Sequence, residues 1–268
     1  MSAHAPFLMP HASGYDPPVL ATLKRAIRRI LPRKIHPLLD RDLELTLHDI
    51  TFEHAYHRIE RDDSDFVRGR YREGVRWRQV IEALQPMDNR LMLDAGAGNG
   101  AIEKAFSASG ANTVISTDAS WNETARRLGT KRIIADVLRL PFRNRVFNTV
   151  LCLETIEHIE DARALADELT RVTRPGGIIL LTTPVRWRHL FADPHFGIRG
   201  LMFLPPSWQR RVAAKRGFDQ PHHYVSRIYS SVAQIEKLFP AFRVTVLSRS
   251  RAPQRWFWDA LVLQKVRL

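Results

Sequence analysis

The sequence predicts an α/β protein built on a doubly wound, mostly parallel sheet. From residue 90 onwards short apolar segments alternate with helical segments, which is typical of parallel strands joined by right-handed crossovers. The first apolar segment runs into a turn with glycine at every second position, a pattern typical of the ligand-binding edge of such a sheet. A composition of 44% hydrophobic and 26% charged residues excludes a disordered or collagen-like chain.

The chain is predicted to begin with a helical extension, residues 1–67, followed by the main domain at 68–268. Val19–Leu31 has apolar residues at helical spacing and basic residues on the opposite face. Leu38–Ile50 is a second, shorter helical pattern, and Val75–Leu84 is a third one inside the main domain. The extension therefore contributes a basic amphipathic helix.

The main domain carries the strand pattern. Five predicted strands precede residue 184: Arg90–Ala95, Thr113–Thr117, Lys131–Ala135, Val146–Leu153 and Gly177–Thr183. The predicted helices are Ala101–Ser109, Asp161–Val172, which Pro175-Gly176-Gly177 ends, and Ser230–Phe239. Phe242–Ser248 and Trp256–Val266 are predicted to pair antiparallel at a sheet edge. The fifth strand is almost wholly apolar and is expected to be buried on both faces.

The glycine turn is the most informative motif. Gly96, Gly98 and Gly100 lack a Cβ, so the backbone there can approach a ligand closely. Asp94 precedes the first glycine, and Asp118 ends the next strand, where a carboxylate can accept both hydroxyls of a ribose. The G-x-G-x-x-G spacing of a dinucleotide site is absent, and an acid at Asp94 would repel a pyrophosphate but suit an ammonium group. The residues therefore predict an adenosine-containing ligand that carries an ammonium.

Several motifs, in order, resemble those of the class I S-adenosylmethionine-dependent methyltransferases, of the type 11-like group. This resemblance covers about residues 68–183 and continues more weakly to residue 247. Within the family, the chain loosely resembles the enzymes of surface glycan, glycolipid or quinone biosynthesis. The motifs are Leu93–Gly100, Asp118-Ala119, Ala135–Phe142, Leu153–Ile159 and Arg171–Gly177. Phe147-Asn148 departs from the Phe-Asp that relatives usually carry. The resemblance implies a Rossmann-like, seven-stranded sheet that ends in the C-terminal antiparallel hairpin.

The resemblance also implies which residues bind S-adenosylmethionine. Asp118 would hold the ribose, and Asp136 the adenine amino group. The other implied cofactor-binding residues lie in the same motifs and are Asp94, Ala95, Gly96, Gly98, Gly100, Ala119, Val137 and Leu153. Asp118 and Asp136 each keep an alternative role as a cap or strand terminator, because aspartate caps helices well.

A hydroxyl acceptor would benefit from a general base, and histidine is the usual one. The candidates are His195, in a proline-rich inserted lid at 184–227, His158, after the fourth strand, and His223, before the last helix. Each can instead be an ordinary polar loop residue. No metal is expected, and magnesium at Glu154, Glu157 and His158 is the alternative, since carboxylates suit that ion.

The net charge of +13 is unevenly distributed. Residues 171–268 hold 17 of the 41 basic residues but 4 of the 28 acidic ones, so the whole excess lies there. Such a field attracts phosphate, nucleic acid or an anionic membrane face. Leu201–Arg216 combines an apolar run and Trp208 with a basic cluster, which is typical of interfacial segments. The alternative is that this segment and Val19–Leu31 pack on the core.

These observations favour an O-methyltransferase acting on a small-molecule, lipid-linked or glycan hydroxyl. The single cysteine, Cys152, permits no internal disulfide, so the expected location is cytoplasmic, with a peripheral position at the inner membrane face. The alternatives are an RNA or protein methyltransferase using the basic C-terminal third, and a non-catalytic cofactor-binding protein. Nucleic acid is not the expected partner, because Leu153–Ile156 stands where base amino-methyltransferases carry an Asn/Asp-Pro-Pro-aromatic string.

Overall fold

The computed structural model describes residues 64–84, 90–108, 112–120, 123–189, 198–217, 227–247 and 260–266. Within these ranges the strands are β1 Arg90–Ala95, β2 Asn112–Asp118, β3 Arg132–Ile134, β4 Phe147–Leu153, β5 Thr173–Thr182, β6 Phe242–Leu247 and β7 Ala260–Lys265. The helices are α1 Ser64–Leu84, α2 Ala101–Ser107, α3 Glu123–Leu128, α4 Ala162–Val172, α5 Pro206–Lys215 and α6 Val232–Leu238. Short 3₁₀ turns occupy Ile156–His158, Arg186–His189 and Leu201–Phe203.

The strands form one seven-stranded sheet in the order β3-β2-β1-β4-β5-β7-β6. The pairs from β3 across to β5 are parallel, whereas β7 runs antiparallel to both β5 and β6. This confirms the predicted α/β fold with a C-terminal antiparallel hairpin, and it places β7 inside the sheet with β6 at the edge. The strand order reverses between β1 and β4, which makes the carboxyl ends of these two strands the expected ligand-binding crevice.

Helices cover both faces of the sheet, so β4 and β5 are buried on both sides. Leu151 and Leu180 pack on one face with α1 and α2, in a cluster that includes Trp77. Cys152 and Leu181 pack on the other face with α4 and α6. Because successive strand side chains point to opposite faces, the continuous apolar run of β5 follows directly from its central position.

The start of β5 differs from the prediction. Helix α4 ends at Val172 and β5 begins at Thr173, four residues before the predicted Gly177. The extra length is taken up by an irregularity in the β4–β5 pairing, where the register shifts between Phe147 and Thr149. A Cβ on Gly177 would lie 2.9 Å from the Asn148 carbonyl oxygen, so the close packing of the two strands requires glycine at this position. The sequence pattern instead placed Gly177 in the turn that ends the preceding helix.

The Asn148 position, where the chain departs from its relatives, has a structural role. Its Oδ1 accepts a 3.2 Å hydrogen bond from the backbone amide of Leu91 and so joins β4 to the start of β1. Helix α1 begins at Ser64, well before the predicted start at Val75, and helix α3 was not predicted from the sequence.

The inserted segment contains regular structure where it is described. Leu201 and Ala213 are buried against each other, with Leu204 and Val212 packed on them, so the 3₁₀ turn and α5 share a small apolar cluster. No helix in the ranges described is both long and apolar enough to cross a membrane. The predicted helix Val19–Leu31 and most of the predicted 1–67 extension lie outside the described residues, so the boundary at residue 68 stays a prediction.

Candidate active site

The turn after β1 is held in a conformation that favours glycine. Gly96 and Gly98 have φ angles of +80° and +55°, which L side chains rarely adopt. The amides of Gly96 and Ala97 both donate to the Thr117 carbonyl oxygen, at 2.9 and 3.0 Å, so the turn is anchored to β2. A Cβ on Gly96 would lie 2.5 Å from Thr155 Oγ1, whereas one on Gly98 would meet no atom within 4 Å. The backbone is therefore packed at Gly96 and open to a ligand at Gly98.

Asp118, at the end of β2, lies beside this turn. Its Oδ2 accepts a 2.8 Å hydrogen bond from the Gly98 amide, and its Oδ1 accepts one of 3.2 Å from the Ser120 amide. Helix α3 begins five residues later, at Glu123, so Asp118 closes a local turn and is not the N-cap of that helix. Ala119 follows it and is exposed. The carboxylate oxygens keep further lone pairs for ligand hydroxyls.

Asp94 is the buried acid of the site. Its side chain is 3% exposed, and its Oδ2 has no hydrogen-bond partner among the described residues. Burial, reinforced by the nearby Glu103 carboxyl, raises the pKa of Asp94 to about 7, against the opposing influence of Arg70 and Arg132. A buried carboxyl oxygen without a partner is costly, and an ammonium group on a ligand would satisfy it.

The remaining predicted cofactor residues lie on segments that follow β3 and β4. Asp136 is exposed, and its Oδ1 accepts a 2.8 Å hydrogen bond from the Leu138 amide, so it closes a local turn and caps no helix. Val137 is buried in the core that faces α4. Leu153 is the last residue of β4 and is also buried, directly before the turn that carries Thr155.

The exit of β4 is an unusual piece of backbone. Glu154 has a φ of +52°, which is uncommon for a residue other than glycine, and its amide donates to Thr182 Oγ1 at 3.0 Å. Thr155 follows, and its hydroxyl lies within hydrogen-bond distance of the Ala95 carbonyl oxygen, at 3.3 Å. This contact joins the ends of β4 and β1 at the crevice where the strand order reverses. Backbone strain of this kind is often found at functional sites.

The two glutamates at the exit of β4, Glu154 and Glu157, lie in different environments: Glu154 is partly exposed, whereas Glu157 is buried. Glu157 is fully buried, and its Oε2 accepts a 3.2 Å hydrogen bond from Thr183 Oγ1. Burial, together with the neighbouring Glu154 carboxyl, holds the pKa of Glu157 well above its ordinary range. Glu157 therefore belongs to the interior of the domain, where burial disfavours the charged form of its carboxyl.

Of the three candidate catalytic histidines, the structure describes His158. Its side chain is 23% exposed, with Nε2 lying 3.9 Å from Glu157 Oε1. His195 and His223 lie outside the described residues, so their roles stay predictions. The Cys152 thiol is buried within β4 and its pKa is raised strongly by that burial, which makes it a poor nucleophile.

The described part of the chain contains no group of three or more His, Cys, Asp and Glu side chains arranged to hold a metal ion. Because Glu157 is buried and hydrogen-bonded to Thr183, it is also poorly placed to take part in the predicted magnesium alternative at Glu154, Glu157 and His158.

Four polar residues near the glycine turn were not identified from the sequence. Thr155 fills the space beside Gly96, the Arg132 guanidinium donates to the Gly98 carbonyl oxygen, and Glu103 is a second buried acid beside Asp94. Asn99 Oδ1 accepts from the Ala101 amide at 3.1 Å and so begins α2. Asn99 lies in the motif Leu93–Gly100 and Thr155 in the motif Leu153–Ile159, so the sequence could have identified both as site residues. Arg132 and Glu103 belong to segments without a distinguishing pattern, and only the fold brings them to the turn.

The sheet order, the glycine turn and the two acids define a Rossmann-like α/β protein with Asp94 and Asp118 at the carboxyl ends of β1 and β2. Residues 93–181 match a protein family described as a methyltransferase domain. The chain is 34% identical over 194 residues to a demethylmenaquinone methyltransferase of Thermobifida fusca, covering 67% of this chain and 77% of that protein. The chain belongs to the class I S-adenosylmethionine-dependent methyltransferases.

Two further comparisons give the range of the family. The chain is 30% identical over 174 residues to a tRNA U34 carboxymethyltransferase of Methylococcus capsulatus, covering 58% of this chain and about half, 52%, of that protein. The solved structure of the CurJ carbon methyltransferase has a TM-score of 0.50 and 14% identity, covering 72% of this chain and 54% of that one. This structural likeness shows the fold alone. The relatives therefore agree in fold and class, while their names indicate different acceptors.

Proposed function

We propose that this protein is an S-adenosylmethionine-dependent O-methyltransferase whose acceptor is a hydroxyl on a small-molecule, lipid-linked or glycan compound. The observation that carries the cofactor part of the proposal is the buried Oδ2 of Asp94, which has no hydrogen-bond partner among the described residues and stands two residues before Gly96. The ammonium of an amino-acid ligand would supply the missing partner.

The residues present fit S-adenosylmethionine. Asp94 would meet the ammonium, the open backbone at Gly98 would lie against the ligand, and Asp118 would accept the ribose hydroxyls. Asp136 and Val137 would contact the adenine, with Leu153 and Ala119 at the borders of the site. When bound, S-adenosylmethionine supplies a methyl group on a positively charged sulfur that a nucleophile can displace in line.

The protein's own contribution is to hold the reacting groups in place and to handle one proton. The amides of Gly96 and Ala97 anchor the turn to β2, and the Gly98 amide is held by the Asp118 carboxylate. His158 is partly exposed at the exit of β4, so its imidazole is available to take a hydroxyl proton. His195 and His223 share this candidate role. Cys152 has none, because its thiol is buried in β4.

We propose further that the acceptor is amphiphilic and that the protein works as a peripheral protein at the cytoplasmic face of the inner membrane. The support is the charge distribution, since the whole excess of +13 lies in residues 171–268. A positive field of this size attracts an anionic lipid surface. The relative from Thermobifida fusca, named for an action on demethylmenaquinone, is in keeping with an apolar acceptor.

An RNA acceptor is the second candidate. The same positive charge would bind a phosphate backbone, and one relative is named for an action on tRNA U34. The absence of the Asn/Asp-Pro-Pro-aromatic string after β4 argues against methylation of a base amino group but leaves other RNA positions open.

Incubation of the protein with methyl-labelled S-adenosylmethionine and separate lipid, glycan and RNA fractions tests the proposal. We expect label in a lipid or glycan fraction, on an oxygen atom located by mass spectrometry, and much less label with the Asp118→Ala variant when the cofactor is limiting. Label confined to RNA would establish the second candidate. Label on a nitrogen or carbon atom of a lipid would support a lipid acceptor but would contradict the proposal that the methyl group is transferred to oxygen.

A further inference from the structure

Helix α5 and the turn before it expose large apolar side chains. Trp208 is 56% exposed and Phe203 is 52% exposed, whereas Leu201 and Ala213 of the same segment are buried. Soluble proteins expose single apolar residues commonly, but two large aromatic side chains close together on one short segment are less usual. This segment therefore has a packed side, which holds it together, and an apolar outer side.

The helical geometry of α5 shows which exposed residues share one face of the helix. At about 100° per residue, Trp208, Arg211 and Lys215 are spaced i, i+3 and i+7 and fall within roughly 60° of one another on α5. All three are exposed. Ala213, which is buried, lies on the opposite side. We name the exposed face formed by Trp208, Arg211 and Lys215, together with Phe203 of the 3₁₀ turn that precedes α5, the α5 face.

The charge on this segment is of one sign. Residues 198–217 contain five basic and no acidic residues: Arg199, Arg210, Arg211, Lys215 and Arg216. Within the described part of the chain, none of these five side chains forms an ion pair or a hydrogen bond. By contrast, other exposed arginines of the domain, such as Arg163, are paired with a carboxylate. Among the described residues, no acid therefore pairs with the positive charge of this segment.

We propose that the α5 face docks on an anionic lipid bilayer, with Trp208 and Phe203 entering the headgroup region and Arg211 and Lys215 contacting lipid phosphates. Tryptophan suits the boundary between water and hydrocarbon, and long basic side chains lie along the apolar surface with their charges in the headgroups. Exposed aromatic side chains also stack on the bases of single-stranded nucleic acid, so RNA binding is the competing outcome that the test below separates from membrane binding. The inference rests on the proposed amphiphilic acceptor and deepens it by naming the contact surface.

Co-sedimentation with vesicles tests the docking. The full chain is mixed with vesicles of phosphatidylcholine containing phosphatidylglycerol, and with vesicles of phosphatidylcholine alone, at low and at physiological salt. We expect binding to the anionic vesicles that weakens with salt, and much less binding to the neutral ones. Trp208→Ala should weaken the partition by about tenfold or more, because a large apolar side chain no longer inserts.

Variants that each remove one positive charge compare residues on the α5 face with a residue elsewhere on the same helix. Arg211→Gln and Lys215→Gln should each weaken the partition by roughly fivefold, the loss expected for one basic residue at an anionic surface. Arg210→Gln removes the same charge from the same helix, but Arg210 lies about 100° from Arg211, away from the α5 face, so a smaller loss is expected. Equal losses for Arg210→Gln and Arg211→Gln would overturn the assignment of this face.

Two other outcomes are decisive. If the parent protein does not bind anionic vesicles at low salt, the bilayer is not the partner. If a single-stranded RNA oligonucleotide binds instead, and Trp208→Ala weakens that binding, the α5 face is a nucleic-acid surface. Calorimetry with S-adenosylhomocysteine separates these failures from failure of the proposed function, because no hydrogen bond or ion pair among the described residues joins Asp94 or Asp118 to α5. Normal circular dichroism spectra of the variants show that they fold.

Discussion

The backbone amide of Gly98 donates a 2.8 Å hydrogen bond to Oδ2 of Asp118. The bond joins the turn after β1 to the end of β2, and the predicted cofactor residues Gly98 and Asp118 lie on these two segments. One carboxylate therefore shapes the glycine turn and remains available to ligand hydroxyls. Loss of Asp118 is expected to affect both the local geometry and the binding of the cofactor.

Asp118→Ala should weaken the binding of S-adenosylhomocysteine by about tenfold or more, because charge-assisted hydrogen bonds contribute about 1.5–3 kcal/mol. Isothermal titration calorimetry measures the change. Asp167→Ala is the matched control, since Asp167 is an exposed acid on α4 paired with Arg163. Unchanged affinity in Asp118→Ala would remove this residue from the cofactor site.

Gly96→Ala should destabilise the fold more than Gly98→Ala does. Both positions have positive φ, which costs an L residue about 1–2 kcal/mol. At Gly96 the new Cβ also meets Thr155 Oγ1 at 2.5 Å, adding a packing cost of about 1–3 kcal/mol. Urea denaturation compares the two free energies of unfolding. Equal values would mean that Thr155 moves aside without cost.

The raised pKa of Asp94 predicts a specific pH dependence of stability. The folded state holds the proton up to about pH 7, whereas the unfolded state releases it near its ordinary pKa of 3.8. The contribution of Asp94 is therefore full below about pH 4 and is lost as the pH rises to 7, at about 1.4 kcal/mol per pH unit at most. Glu103, whose pKa burial also raises, contributes with the same sign.

Comparison with Asp94→Asn isolates this effect, because the amide does not titrate. Between pH 4 and 7 the free energy of unfolding of the parent should fall more steeply than that of the variant. The affinity for S-adenosylhomocysteine should rise with pH through 7 in the parent, since the ionised carboxylate is the better partner for an ammonium, and should stay flat in the variant. Parallel stability curves for the two proteins would contradict the assigned pKa.

His158→Ala should lower turnover about 10²–10⁴-fold if His158 is the general base, with the affinity for S-adenosylhomocysteine unchanged. Cys152→Ala is the comparison, and it should keep its turnover, because the thiol is buried away from the acceptor. The pH profile of turnover should lose its acidic limb in His158→Ala. Full activity in that variant would assign the role to His195 or His223, each tested in the same way.

Much of this fold could be read from local patterns. Apolar residues predicted β1 and β4, and β-branched residues predicted β2, each to within two residues at each end. The start of β5 could not be read in this way. Pro175-Gly176-Gly177 is typical of a turn, yet the pairing of Thr173 with Phe147 extends the strand back to the end of α4.

By itself the sequence determined the class of the protein, because the acid and the glycines of the first turn stand within one short segment and their order carries the chemistry. The tertiary structure alone decided the state of those groups. Asp94 has its raised pKa because the sheet buries it beside Glu103, which comes from a different element. Gly96 is crowded because Thr155 arrives from the exit of β4, 59 residues along the chain. Contacts between distant segments leave no local pattern, since only folding brings the two partners together.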